Sequence, residues 1–174
     1  MMVFIDCGFH KGEWLYKFMK IYRPTHFKVY AFEANPYLTE DINYDGIKLY
    51  KKAVSDQNCK RVFFISEESL ASSSFYQRKG ILYSKYITVE CIDFSQWILD
   101  NLNKKDYNVL KLDVEGEEYR ILEKMVKDDT ISYINDMYIE FHDLKQRPHI
   151  KPEHTKEYFL KKIKKNYINF KETT

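Results

Sequence analysis

The sequence predicts an α/β fold built on a mostly parallel sheet, and three observations carry that expectation. Short apolar runs alternate with stretches of helical periodicity along the chain, the pattern of successive βαβ units. The first run, Val3-Phe4-Ile5-Asp6, leads straight into a glycine-bearing turn and a helix-like stretch. Later runs end, like the first, in acidic residues, and a parallel sheet gathers its ligands beyond the strand C-termini.

The first unit reads strand, turn, helix. Asp6 ends the strand, Gly8 and Gly12 stand four apart with His10 between them, and Glu13-Trp14-Leu15-Tyr16-Lys17-Phe18-Met19 begins the helix. Glycine lets the backbone take positive φ and lets a ligand approach peptide N–H groups at a helix start. A dinucleotide's pyrophosphate usually wants G-x-G-x-x-G, whereas this turn reads D-x-G-x-x-x-G. Asp6 would repel a phosphate and attract a cation. S-adenosylmethionine carries a sulfonium and an α-ammonium beside one carboxylate, so Asp6, Gly8, His10 and Gly12 are its candidate binding residues. The alternative is that the two glycines only shape a strand-to-helix corner.

Arg23-Pro24 closes the first helix, because proline disfavours a helical predecessor. Residues 27–32 read as a second strand ending at Glu33, which lies 21 residues beyond Gly12. An acid about 20 residues on is placed to bind both ribose hydroxyls of a nucleoside; the alternative is a capping acid beside Asn35-Pro36. Residues 36–43 read as a helix stopped by Asp45-Gly46, and residues 47–54 as a single third strand. Its tip would border the adenine, making Ser55 and Asp56 candidate acceptors for the exocyclic amine, unless they form a plain turn. Residues 60–66 read as another strand. The polar stretch from residue 67 to 80 is the most loop-like of the chain, expected as a lid or binding loop, with disorder as the alternative. Residues 86–91 return as a strand, and Asp93 caps a helix over residues 94–102.

A mostly apolar strand from Tyr107 ends at Asp113, and acids follow in Val114-Glu115-Gly116-Glu117-Glu118, where a helix start favours negative charge. Lys111 and Asp113 are two apart and face the same way, and a buried lysine needs a partner: Asp6, Glu33, Glu140 or a ligand. Residues 133–143 supply one more strand, near whose end Glu140 and His142 share a face. A helix over residues 153–165 and the apolar piece Tyr167-Ile168-Asn169-Phe170 complete the chain. Asp6, Glu33, Asp113, Glu140 and His142 thus all stand at strand ends.

Composition bounds the rest. The 174 residues are one domain's worth, so residues 1–174 are expected as a single unit. With 28 basic and 26 acidic residues the charge is too balanced to argue for nucleic acid. Lys161, Lys162, Lys164 and Lys165 read as a solvated helix face, or as a contact for nucleic acid or an acidic glycan. Cys7, Cys59 and Cys91 are odd in number and widely spaced, supporting neither a disulfide framework nor a cysteine zinc site. No apolar run approaches the roughly 20 residues of a membrane span, and the chain starts on a strand rather than a signal peptide. A soluble, cytoplasmic protein is expected.

Taken together, Phe4-Ile5-Asp6-Cys7-Gly8 with Gly12, Ala31-Phe32-Glu33-Ala34-Asn35-Pro36, Ala53-Val54-Ser55-Asp56, Val89-Glu90-Cys91-Ile92-Asp93, Lys111-Leu112-Asp113-Val114-Glu115-Gly116-Glu117-Glu118 and Tyr138-Ile139-Glu140-Phe141-His142 resemble the FkbM-like class I S-adenosylmethionine-dependent methyltransferases. The motifs come in the family's order over residues 3–142. The resemblance implies a Rossmann-like three-layer sandwich of strand order 3-2-1-4-5 with shortened C-terminal strands, and O-methylation, often of sugar or natural-product hydroxyls. It implies Asp6, Gly8 and Gly12 at the methionine end of the cofactor, Glu33 at the ribose, Ser55 and Asp56 near the adenine, and Asp113, Glu140 and His142 on the acceptor side. Against that pattern, the chain starts on strand one without the segment many relatives place over the substrate. Acceptor recognition is therefore expected from the loop of residues 69–80, a partner chain or an open groove.

For catalysis, His142 or Asp113 is expected to take the acceptor's proton, with Glu140 orienting and Lys111 stabilising the developing alkoxide. A variant has Asp113, Glu140 and His142 holding Mg²⁺ or Mn²⁺. Two readings compete with the small-molecule or glycan O-methyltransferase: an RNA ribose 2'-O-methyltransferase, and a non-catalytic nucleotide-binding module.

Overall fold

A computed structural model describes residues 1–39, 46–78, 80–142, 155–165 and 169–172. Strands β1 (Met2–Cys7), β2 (Phe27–Phe32) and β3 (Ile47–Tyr50) are followed by β4 (Ala53–Ser55), β5 (Cys59–Ser66), β6 (Tyr83–Asp93), β7 (Tyr107–Leu112), β8 (Asp136–Ile139) and β9 (Asn169–Glu172). Helices α1 (Glu13–Tyr22), α2 (Phe94–Asn101), α3 (Glu118–Lys127) and α4 (Lys156–Lys165) lie between them.

The main sheet runs β3-β2-β1-β7-β8-β9 with every pairing parallel. Because β7 and β8 are the fourth and fifth strands of that sheet, this is the expected 3-2-1-4-5 order, extended by one short strand. It is a Rossmann-like α/β sheet, and order reverses beside β1, between β2 and β7.

Side-chain alternation along β1 splits the core into two faces. Val3, Ile5 and Cys7 point into a large cluster with Leu110 and Leu112 of β7 and residues of α2, α3 and α4, including Ile98, Leu122 and Phe159. Phe4 and Val109 point the other way, under α1, where Phe4 stacks on Phe18 with ring centroids 4.5 Å apart. Such a pair adds about 0.5–1.5 kcal/mol beyond its burial. The period of two then fixes the chemistry: Asp6 and Lys111, direct partners in the β1–β7 register, fall on the α1 face at the strand tips.

The expectation for residues 47–54 needs correction. They form two strands in different sheets, because Lys51 and Lys52 interrupt the alternation and leave no continuous buried face. β4 instead pairs with β6, which pairs antiparallel with β5, giving a second sheet of order β4-β6-β5. The helix expected over residues 36–43 is a single 3₁₀ turn, Pro36–Leu38, capped by the Asn35 side chain, and residues 40–45 lie outside the described residues. The end of the strand expected over residues 133–143, at Asp143, also lies outside them, as do the start of the last helix expected at residues 153–154 and residues 167–168 of the apolar piece. Among the described residues no helix is long and apolar enough to cross a membrane.

Candidate active site

The strand tips of β1, β2 and β7 and the inner side of the second sheet enclose a cleft of about 630 Å³, part of it open to solvent. Its floor is the β1–α1 turn. Gly8 has φ +81°, and a Cβ there would stand 1.8 Å from the Asp113 carbonyl oxygen, so only glycine lets β1 and β7 approach at this point. His10 also holds positive φ, at 52°, a conformation that costs a non-glycine residue about 1–3 kcal/mol. Its backbone N–H spends that strain on the Glu33 carboxylate, 2.8 Å away.

Glu33 is the acid at the tip of β2. It lines the cleft, is buried, and accepts from the backbone N–H groups of His10 and Asn35, each at 2.8 Å. Burial pushes its pKa up, against the pull of those two donors and of Lys111. A carboxylate fixed by two N–H groups keeps acceptor capacity for two further hydroxyl donors. Gly8, His10 and Glu33 therefore sit together on the cleft wall. Gly12 shapes the same turn as the left-handed cap of α1, where a Cβ would meet the Phe9 ring at 2.8 Å.

Asp6 and Lys111 sit beneath the floor rather than in it. Asp6 is fully buried, with Lys111 Nζ 3.4 Å from Oδ1. Burial pushes the Asp6 carboxyl up to about 6, against the lowering pull of Lys111 and helped by the charges of Asp113 and Glu33. Lys111 Nζ also bonds the Gly8 carbonyl at 2.5 Å and lies 3.3 Å from Asp113 Oδ2. Burial lowers the lysine's pKa, but Asp6 and Asp113 outweigh it and hold it above the ordinary value. Neither residue lines the cleft, so the direct contacts expected of Asp6 with cofactor and of Lys111 with an alkoxide do not fit this placement. Their ion pair ties the glycine turn to β7 and presents Asp113, which does line the cleft.

Ser55 and Asp56 are also turned away. The Ser55 hydroxyl bonds the buried Glu117 carboxylate at 2.5 Å, and Asp56 accepts from the Arg120 guanidinium at 2.8 and 3.0 Å. Neither lines the cleft, where β3–β4 contributes Lys52, Ala53 and Val54 instead. The polar turn was legible, but not that the start of α3 and the residue before it would supply its partners.

Of the loop expected over residues 67–80, residues 67–78 and 80 are described and Lys79 lies outside the described residues; part of the loop forms a wall of the cleft. Leu70, Ala71, Ser73 and Phe75 line it. Asn35 Nδ2 holds the loop at the Leu70 carbonyl, 3.1 Å, while Ser74 Oγ donates to the Glu115 carbonyl at 2.6 Å. Arg78 Nη1 reaches Glu115 Oε2 at 2.6 Å, and Tyr76 and Arg61 both bond Glu117.

Behind Asp113 and Glu115 of the cleft wall, β7 and β8 bring their tips together, and Glu118, Glu140 and His142 gather there without lining the cleft themselves. His142 Nδ1 lies 3.0 Å from Glu118 Oε1, and the same oxygen accepts from the backbone N–H groups of Val114 and Gly116, each at 3.0 Å. Glu118 is fully buried. The other ring nitrogen, Nε2, faces Glu115 at 3.3 Å and Glu140 at 3.8 Å. Burial alone would lower the imidazole's pKa, but Glu118, Glu115 and Asp113 outweigh it and hold it above its ordinary value. Glu140 is partly exposed, its carboxyl held up by burial and by the charge of Asp113.

The sequence reading missed Glu118 and Glu115, taking the acids after β7 as helix-start charges. The available signal was topological: in the order 1-4-5, a histidine ending the fifth strand stands beside the turn that follows the fourth. For a cation, the structure groups Asp113, Glu115 and His142, with ligand atoms within 4.8 Å of one another, in place of the expected Asp113, Glu140 and His142. Their charges are already answered by Arg78, Lys111 and Glu118, so the group fits an ion-pair network better than a divalent ion.

Comparison with known proteins agrees with this geometry. A family model described as the methyltransferase FkbM domain matches residues 6–169. No curated protein and no solved structure gives a match. A match over nearly the whole chain, together with a parallel sheet whose first strand ends in a glycine turn beside a buried acid, means that the chain belongs to the FkbM methyltransferase family and is an S-adenosylmethionine-dependent methyltransferase.

Proposed function

We propose that this methyltransferase acts on a hydroxyl oxygen of a sugar, glycan or small natural product. The observation that carries the reading is the Glu118–His142 pair, which holds the imidazole beside Asp113 and Glu115, two acids that line the cleft. Gly8, His10 and Glu33 would hold S-adenosylmethionine, with Glu33 on the ribose and the Gly8–Gly12 turn at the methionine end. The apolar wall of Phe63, Leu70 and Phe75 suits the nucleoside base. When bound, the cofactor supplies a methyl carbon already activated by its sulfonium.

What remains for the chain is to align the acceptor, exclude water and remove one proton. A hydroxyl is a weak nucleophile until deprotonated. His142 Nε2 takes that proton; Glu118 orients the ring and stabilises the imidazolium that results. Asp113 and Glu140 flank the acceptor as hydrogen-bond acceptors for neighbouring hydroxyls, and Lys111 acts as a positioning residue through Asp113. Nothing in this scheme needs a metal, so turnover is expected to survive EDTA.

The test is a panel of sugars, glycans, hydroxylated natural products and capped RNA, with S-adenosylhomocysteine release and product mass as readouts. O-methylation of a hydroxylated small molecule or glycan, lost in His142→Ala while S-adenosylhomocysteine still binds, supports the reading. Turnover only on RNA, or undiminished turnover in His142→Ala, overturns it.

A further inference from the structure

Cys59 opens β5 and Cys91 stands near the end of β6, 32 residues later, yet the antiparallel ladder sets the two opposite each other. Directly opposed residues in such a pair hold their Cα atoms about 4.5–5.5 Å apart. A disulfide spans about 4.4–6.8 Å between Cα atoms. Both cysteines are free thiols. They already interact: burial first, then the charge and hydrogen bond of Cys59, push the Cys91 thiol up to about 12.

Their surroundings separate the pair from the third cysteine. Cys59 and Cys91 pack in the small core of the second sheet with Ala53, Phe63 and Val89. Cys91 is the register partner of Ala53 in β4, and Ala53 and Phe63 line the cleft. Cys59 is half-buried and reachable, while Cys91 is buried behind it. Cys7 lies fully buried at the tip of β1, in the core of the main sheet.

We propose that Cys59 and Cys91 form a redox site, a dithiol that a low-molecular-weight disulfide such as oxidised glutathione converts reversibly into an intramolecular disulfide across the β5–β6 ladder. The Cys59 thiol loses its proton, and the thiolate attacks one sulfur of the reagent. The reagent's S–S bond breaks, a mixed disulfide forms at Cys59, and one glutathione thiolate leaves with that proton. Cys91 then loses its proton and attacks the Cys59 sulfur, expelling the second glutathione as its thiol. Two protein thiols are oxidised and one reagent disulfide is reduced. Excess dithiothreitol reverses both steps. The bond closes directly behind the wall that Ala53 and Phe63 present to the cleft, so the wall's covalent state follows the thiol poise around it.

The experiment exposes the full chain, folded, to oxidised glutathione, then alkylates it in denaturant and maps the peptides. The expected result is a thiol titre falling from three per chain to one, with a single Cys59–Cys91 cross-linked peptide that dithiothreitol abolishes. In Cys91→Ser the reaction stops at a glutathione adduct on Cys59, and Cys59→Ser keeps both remaining thiols. Three surviving thiols in the wild type, a cross-link through Cys7, or a Cys59 adduct that never resolves would overturn the proposal.

Discussion

Replacing Glu118 by Gln tests the proposed base through its pH dependence. The two carboxylate oxygens become an amide, and the amide oxygen still accepts from Val114, Gly116 and His142, so the ring keeps its place while one full charge 3.0 Å from Nδ1 disappears. Both groups are shielded from water, with side-chain exposures of 13% for His142 and 0% for Glu118. An opposite charge at this range typically moves a pKa by about 1–3 units. Burial, which already pulls the imidazole down, is then opposed only by Glu115, Asp113 and the other surrounding acids. In the wild type, methyl transfer should rise with pH to a plateau whose midpoint lies above 6.5, because the base is the neutral ring and its pKa is raised. In Glu118→Gln the midpoint should fall by about 1–2 units, with a lower plateau, because the imidazolium loses its counter-charge. The assay is kcat against pH on any acceptor found active. An unmoved midpoint, or a profile flat between pH 5 and 9, would refute the role given to His142.

Two further outcomes follow from the floor of the cleft. Gly8→Ala forces a Cβ onto the Asp113 carbonyl and an L-residue into φ +81°, so it should cost about 2–3 kcal/mol in denaturant unfolding and abolish measurable S-adenosylhomocysteine binding. Asp6 releases its proton near pH 4 when unfolded and near 6 when folded, so raising pH across that window favours the unfolded chain. Relative to Asp6→Asn, the wild type should therefore lose about 2–3 kcal/mol between pH 4 and pH 6, and equal slopes for the two proteins would contradict the buried-acid assignment.

Much of this site could be read from residue order, because a parallel sheet converts strand ends into neighbours. Gly8, His10 and Glu33 meet on one wall for that reason, and Asp113 and His142 meet across the tips of β7 and β8. What could not be read is what the second sheet does. Nothing local in Lys51-Lys52 says that the chain changes sheets there. The β5–β6 hairpin spans a long loop with no tight-turn signature, so its register, and the Cys59–Cys91 pairing with it, exists only in the folded ladder. Ser55 and Asp56 show the complementary failure: their turn was recognised, but their partners are Glu117, which precedes α3, and Arg120 in its first turn, 62 and 64 residues away.

If the cleft beside the β1–α1 turn takes an adenosine sulfonium with Glu33 on its ribose, calorimetry will register it. Titrating S-adenosylhomocysteine into the wild type should give one-site binding, weakened about 10- to 100-fold in Glu33→Gln, the cost of one lost charged hydrogen bond. No heat with the wild-type protein, or equal affinity for the two, would contradict the account.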